Sequence, residues 1–397
     1  MAIFSSLSQI AVVTWLNLRS ITGRLASSAV AVIGMAGVVG VFVAVLSMAE
    51  GFRLTMATTG SADTAIVMRS GADSEMTSIL MRADVDVVRD APEIVRTPAG
   101  PLASAELFVV VDLIKASTGT TGNAPLRGVE SAAFKIRNIR LIEGRLPVPG
   151  TTEIVVGRAA AMEYRGLKVG SRLKTGQNTW AVVGAFDAGG TVPDSELWCD
   201  AAVLAPLYQR GSSRQSVYVR LTSPEAFGTF KDKLTSDPRA QVKVMREREY
   251  YESQSQFVTS LITGLGSLIA GLMGIGAVFA AVNTMYSAVA SRTREIATLR
   301  ALGFRGIPIV VSVLVESMLL ALVGGLAGAL IAYVAFNGYQ AATMNWQSMS
   351  TIAFAFRVTP ALLQQGLIYA LGLGFLGGLL PAIRAVRMPV VTALRVL

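Results

Sequence analysis

The chain has no histidine and a single cysteine, Cys199. Without histidine, a Ser-His-Asp triad, an HExxH zinc site and any His-based metal site are excluded. One cysteine cannot close an intrachain disulfide, and Cys199, flanked by Trp198 and Asp200, is expected to be inert. The dipeptide Gly-Lys occurs nowhere, so a Walker A loop is absent and the chain cannot hydrolyse ATP alone. No paired intramembrane aspartates suggest a protease, and no set of charged spans suggests an ion-coupled transporter. Charge itself is scarce, at 15% of residues against about 25% in soluble domains. With 52% hydrophobic residues, a substantial membrane-embedded fraction follows.

Charge-free runs place that fraction. Residues 25–49 carry no charge until the following Glu50, enough to cross about 30 Å of hydrocarbon as a helix. Residues 257–290 form an uncharged run of 34, about 51 Å as a helix and longer than the hydrocarbon is thick. Residues 307–336 are interrupted only by Glu316, and 361–383 complete a fourth span. In 1–24, Phe4, Leu7, Ala11, Trp15 and Leu18 recur at three- and four-residue steps, and Leu25 follows seven residues on. This spacing gives an amphipathic helix in the membrane plane, with a frayed start to the first span as the alternative. Ser47-Met48-Ala49 resembles a cleavage site, but the run is too long for a signal-peptide core.

Orientation follows from the arginines. Arg19, Arg24, Arg292, Arg294, Arg300, Arg305, Arg384, Arg387 and Arg395 lie in 1–24, 291–306 and 384–397, where the only acid is Glu295. Lys/Arg excess in short loops marks the cytoplasmic side, so both termini and the 291–306 loop are expected there. Residues 50–256 hold 25 Lys and Arg against 24 Asp and Glu. The net charge of +9 therefore reflects membrane orientation, and no nucleic-acid partner is implied. The fold expected is an α-helical membrane protein with four transmembrane helices and an α+β extracytoplasmic domain inserted between spans 1 and 2.

That domain, 50–256, alternates β-branched runs with turns: ADTAIVMRSG, ELFVVVDLIK, TEIVVG, WAVVGAFD and SVYVRL read as strands. PEAFGTFKDKL reads as a helix and QVKVMR as a further strand. KASTGTTGNAP, residues 115–125, reads as a flexible loop or a crossing between lobes, and two lobes are expected. From Gln241 to Thr263 there is neither Gly nor Pro, so a stalk helix from REYYESQSQF should run directly into the second span. A kink among Gly264, Gly266, Gly271, Gly274 and Gly276 is the alternative. Residues 337–360 are expected as a short outer loop.

Within the spans, Gly324-x-x-x-Gly328 and Gly374-x-x-x-Gly378 put small residues one turn apart and permit close helix packing. Glu316 is the costly residue, about 2.5–3.5 kcal/mol on insertion scales. It lies nine residues past Ile307, about 13 Å along the axis. A polar path, a proton site, a helix latch or one bond to a neighbouring Ser, Thr or Asn all fit it; no basic residue lies in the apolar runs to pair with it.

The loop 291–306, with TREIATLRALGF, resembles the cytoplasmic loop of MacB/FtsX/LolC-type ABC permeases, where REIxxLRAxG follows the second span. ESMLLALVGGLAGALIA continues the likeness, as does LPAIRAVRMPVVTALRVL, similar to that family's PAxRAxRxxPxxALR tail. LIEGRLPVPGTTEIVVGRAAA and VGSRLKTGQNTWAVVGAFD carry its cadence in the outer domain, more loosely. The resemblance implies a MacB-like periplasmic core domain plus an FtsX-like permease domain in the bacterial cytoplasmic (inner) membrane. It further implies a homodimer or close heterodimer that recruits two copies of a separate ABC ATPase, and a periplasmic adaptor in a two-membrane cell. No cofactor is expected on this chain, ATP-Mg belonging to the ATPase; because only 24 residues precede the first span, that ATPase is expected to be another polypeptide.

The residues matching the family's loop motif are Arg294, Glu295, Ile296, Leu299, Arg300, Leu302 and Gly303. Ile296, Leu299 and Leu302, at three-residue steps, would form an apolar ridge for a partner groove, with Arg294, Glu295 and Arg300 at its rim. A helix lying on the membrane with arginines near lipid phosphate is the competing reading. Such permeases turn ATPase movement into motion of the outer domain, so an exporter acting by mechanotransmission is the function implied. An FtsX-like subunit that activates an external enzyme without transport is the alternative.

Overall fold

The computed structural model describes residues 9–15, 25–176, 178–304 and 306–387. The expected amphipathic helix over 1–24 and tail over 384–397 therefore fall largely outside the described residues; of the former, 9–15 are helical. The chain divides into two compact units. One holds the residues up to Glu50, Leu261–Tyr339 and those from Arg357 onward; the other holds Gly51–Ser260 and Gln340–Phe356.

Among the described residues, four helices are long and apolar enough to cross a membrane. They are α1, Leu25–Ala57; α7, Glu247–Ser291; α9, Gly306–Phe336; and α10, Pro360–Arg387; the shorter α2 (Arg82–Asp90), α3 (Ala132–Ile136), α4 (Arg158–Glu163), α5 (Ala201–Leu207) and α6 (Ala226–Ser236) lie between the first two in the chain. The 45 residues of α7 make a helix of about 68 Å, whose hydrogen-bonded course runs on through its glycines. Small residues set the packing of the helical unit. A Cβ on Gly324 would stand 2.7 Å from Met35 Cβ and 2.8 Å from Val32 O, and one on Gly328 would press on the Ala36 carbonyl. A Cβ on Gly378 would lie 2.7 Å from Ser317 Cβ, and one on Gly374 would meet Ala321. Both glycine pairs thus serve packing within one chain, the first against α1 and the second between α9 and α10. Such close approach is what small-xxx-small spacing allows.

The α+β unit is built on one ten-stranded sheet. Its strands are β1 (Thr64–Arg69), β4 (Ala103–Ile114), β5 (Thr121–Val129), β6 (Arg140–Gly144), β7 (Glu153–Gly157), β8 (Arg172–Thr175), β9 (Asn178–Asp187), β10 (Leu197–Asp200), β11 (Ser216–Arg220) and β12 (Val242–Arg246), with the short β2 (Arg96–Thr97) and β3 (Gly100–Pro101) forming a separate ribbon. The order is β12-β1-β11-β4-β5-β10-β7-β9-β6, and β8 pairs with β9. Strand β4 joins the halves: Ala103–Glu106 pair with β11, and Leu107–Ile114 pair with β5. Each half has its own core. One gathers Val67, Val88, Val217, Phe230 and Val244; the other gathers Val109, Leu126, Ile154, Trp180 and Leu204. The two expected lobes are thus two cores on one sheet.

Two segments differ from the sequence reading. Thr121–Pro125, expected in a loop, are the start of β5, where Pro125 pairs with Val110. Proline removes a donor, but β5 meets its second neighbour only from Leu126 onward, so at Pro125 no ladder bond is lost. Residues 337–360 are not a plain loop: β13 (Gln340–Asn345) and β14 (Ser350–Ala355) form an antiparallel hairpin belonging to the α+β unit. Asn123 Nδ2 donates to Met349 O at 3.1 Å and Ala353 N to Ser195 Oγ at 2.9 Å.

Period-2 alternation gives the middle of the sheet two unlike faces. Leu107, Val109, Leu126, Leu197, Val217 and Val219 point into the cores. Their neighbours Glu106, Arg127, Trp198, Ser216 and Tyr218 point to the other side and are buried too. Burial would raise the Glu75 carboxyl, but the charge and hydrogen bonds of Arg127 outweigh it and hold Glu75 below the ordinary value. Cys199, on the core side, is fully buried and its thiol is pushed well up by that burial, which suits an unreactive side chain.

Candidate functional site

The loop between α7 and α9 contains one short helix, α8, Thr293–Ala301. Arg292 breaks the chain between α7 and α8, with φ −112° and ψ 13°. Glu295 in the first turn and Arg300 in the last suit the helix dipole. The C-terminus is a Schellman motif. Gly303 N–H donates to Arg300 O and Phe304 N–H to Leu299 O, both at 3.1 Å. Gly303 has φ +93°, a conformation that glycine adopts without steric cost. The glycine of the loop motif is therefore a helix stop.

The two faces of α8 have different surroundings. Ala297 is buried and Ile296 packs against the cluster of Val289, Ile309, Val313, Ala382 and Ala385. Leu299 and Arg300 are half-buried. Arg300 Nη1 donates to Val386 O at 2.7 Å, one of the last carbonyls of α10, which lack partners within the helix. Arg294, Glu295, Thr298, Ala301, Leu302 and Gly303 are exposed, Leu302 at 71%. The expected apolar ridge is therefore split. Ile296 and, in part, Leu299 belong to the chain's own packing, and of the three only Leu302 faces fully outward. Arg300, expected at a partner's rim, holds the loop to α10.

Glu316 is 4% exposed and has a basic partner after all: Arg292 Nη1 lies 3.4 Å from its Oε2, with Arg292 itself 7% exposed. No cation lies in the apolar runs; the partner comes from the loop, folded back onto α9. Ser312, one turn before Glu316, donates to Val13 O at 3.4 Å, so the 9–15 helix also borders this site. Between α8 and the helices remains a cavity of about 20 Å³, lined by Val13, Arg292, Leu299 and Glu316 among others, on the scale of a single water. Among the described residues, no group of three or more His, Cys, Asp or Glu side chains could hold a metal.

A test follows from this pair. Glu316→Leu leaves a buried guanidinium without this carboxylate, a change worth about 3–5 kcal/mol when a buried pair is broken. Glu316→Gln keeps an acceptor and should be milder. Thermal unfolding of the purified protein in detergent should rank the variants unchanged, Gln, Leu in falling order, and equal melting of all three would contradict the pairing.

Sequence reasoning missed this role of Arg292 because the residue stands two positions before the matched motif. It also missed the buried ionic groups of the α+β unit, which are scattered from Glu75 to Glu247 with nothing local to flag them.

Comparison with known proteins bears on both units. The family profile of the MacB-like periplasmic core domain matches residues 28–237, more than half the chain. That of the FtsX-like permease C-terminal matches 267–390. The "Uncharacterized ABC transporter permease YknZ" of Bacillus subtilis (strain 168) is 30% identical over 138 residues, 35% of this chain and 32% of the relative, so the match spans about a third of that protein's length. The periplasmic region of MacB from Actinobacillus actinomycetemcomitans is similar at 14% identity and a TM-score of 0.37, over 49% of this chain and 93% of that one. The extracellular domain of the transporter YknZ from Gram-positive bacteria is similar at 14% identity and 0.36, over 46% and 99%. The chain belongs to the ABC transporter permeases of the MacB/FtsX type.

Proposed function

We propose that this chain is the permease subunit of an ATP-driven exporter in the bacterial cytoplasmic membrane, with both termini cytoplasmic. Family membership implies association with an ATPase subunit. We place that contact on the outward face of α8. The observation that carries the reading is the two-sidedness of this helix. One face is fixed by Ile296 packing and the Arg300–Val386 bond, while Arg294, Glu295, Thr298 and Leu302 are presented together. A helix held on one side and open on the other is suited to receive a push and pass it to α7, α9 and α10.

A second copy is placed along α7. Leu261, Leu265, Leu268, Leu272, Ile275 and Phe279 are 42–71% exposed and follow a 4-3-4-3-4 spacing. That is the heptad seam of a left-handed helix pair. Gly264 and Gly271 flank it, each with open space where a Cβ would stand, which permits close approach in a membrane. The extent of the α+β unit, Gly51–Ser260 plus the hairpin, favours a docking platform for an adaptor over a minimal signalling head, and so an exporter over an FtsX-like activator.

The experiment is co-purification. Arg294→Glu with Leu302→Asp should abolish recovery of the partner ATPase and of permease-dependent ATP hydrolysis, with the permease still folded. Full recovery of both would overturn the assignment of this face.

A further inference from the structure

We infer that a buried ionic chain in the α+β unit, running Glu247–Arg137–Glu106–Arg127 and ending on Glu75 and Glu196, is the joint through which the start of α7 is fixed to the sheet, and that its members are positioning residues for force transmission. This rests on the reading that α7 carries movement between ATPase and outer domain.

The geometry is complete at its centre. Arg127, 1% exposed, uses all five N–H donors: Nε to Glu196 at 2.9 Å, Nη1 to Glu75 at 2.7 Å and to Glu106 at 3.1 Å, and Nη2 to Glu75 at 3.0 Å and Glu196 at 2.8 Å. Arg137 grips both oxygens of Glu106, at 2.9 and 2.8 Å, and reaches Glu247, the first residue of α7, through Nε at 3.3 Å. Its guanidinium lies 3.7 Å from the centroid of the Tyr218 ring. Glu106 is thus shared by two arginines, and a single unbroken path connects α7 with β4, β5 and the residue preceding β10. The next turns of α7 add neutral bonds: Glu75 N donates to the Tyr250 hydroxyl at 3.1 Å, and the hydroxyls of Tyr251 and Tyr218 stand 3.3 Å apart.

Stability alone does not account for such an arrangement. A buried ion network replaced as a whole by apolar side chains of the same volume is often as stable or more so, because the desolvation cost offsets the attraction. Ionic forks supply fixed direction, since each guanidinium accepts carboxylates only in its plane. They also sit where the two cores meet on one sheet, so a displacement entering at Glu247 reaches both halves. The chain is tightest at Arg127 and slackest at Glu247, which Arg137 reaches through a single N–H at 3.3 Å and which Thr64 also contacts. The helix can therefore be uncoupled at Glu247 without dismantling the sheet.

The test uses the full chain with its ATPase in nanodiscs, followed by hydrogen exchange with and without ATP and vanadate. In the unmodified complex, nucleotide should change amide exchange in the first turns of α7 and in β4 and β5. In Glu247→Leu, which leaves Arg137 paired with Glu106, the change in β4 and β5 should fall about threefold or more while that in α7 persists. Glu247→Gln, which keeps the acceptor, should restore it. If the leucine variant does not fold, Arg137→Lys, which keeps the charge but loses the fork, gives the same readout. An undiminished response in β4 and β5 with Leu or Lys would overturn the joint. A nucleotide response absent from α7 of the unmodified complex would overturn the reading of α7 itself, and the joint with it.

Discussion

Arg127→Met should unfold the α+β unit at a markedly lower temperature, with a loss of about 3–5 kcal/mol. Methionine fills most of the volume but leaves Glu75, Glu106 and Glu196 facing one another with a single guanidinium, that of Arg137, still bonded to Glu106. The magnitude comes from uncompensated buried charge, not from lost packing, and it is a large part of the roughly 5–15 kcal/mol that holds a domain together. The readout is intrinsic fluorescence during a thermal or urea melt. Trp198 reports on this site directly, since its Nε1 donates to Glu196 at 2.6 Å and its ring packs against Phe134 and Phe186. Arg239, exposed and paired with nearby Asp237, is the control, and Arg239→Ala should leave the melt unchanged. A loss under about 1 kcal/mol for Arg127→Met would show that the carboxylates relax or take up protons without penalty.

Gly328→Leu should be the most damaging single change in the helical unit. A Cβ there would lie 3.0 Å from both Ala36 Cα and Gly40 N, besides pressing on the Ala36 carbonyl. These are backbone atoms of α1, so no rotamer change relieves the clash; the helices must separate. Overpacking of this kind costs about 1–3 kcal/mol and more where backbone must move. Separation also strips the contacts among Met35, Val39, Val43, Ala321 and Ala332. The expected result is loss of the monodisperse species on size exclusion after extraction. Gly372→Leu, at a position with open space, should behave as the unmodified chain does. Similar profiles for both leucine variants would refute the close approach of α1 and α9.

The four apolar helices, six of the strands, the helix of PEAFGTFKDKL and the place of the short loop were legible in the sequence because each depends on local composition. A run without charge is apolar wherever it lies, and β-branched alternation marks a strand regardless of its neighbours. Gly303 was legible as a motif, and the structure adds that it ends a helix in a left-handed turn. Its motif neighbours were less so. Ile296, Leu299 and Leu302 share a spacing, but whether a spaced set faces a partner or its own chain depends on where α9 and α10 pass.

The pairing partners lay beyond the sequence for the same reason. Glu316 could be recognised as costly from its position alone, yet Arg292 becomes its partner only when the loop folds back on α9. Likewise Glu75, Glu106, Arg127, Arg137, Glu196 and Glu247 are unremarked singly and span more than 170 positions. Alternation along β4 and β5 placed some of them on one face. The first turns of α7 and the β13–β14 hairpin, laid over that face, bury it and turn ordinary surface charges into a dry ionic chain. What the sequence determined by itself was which segments could be helix, strand or membrane span; what tertiary structure decided was which charges lose their water, because desolvation is set by neighbours distant in the chain.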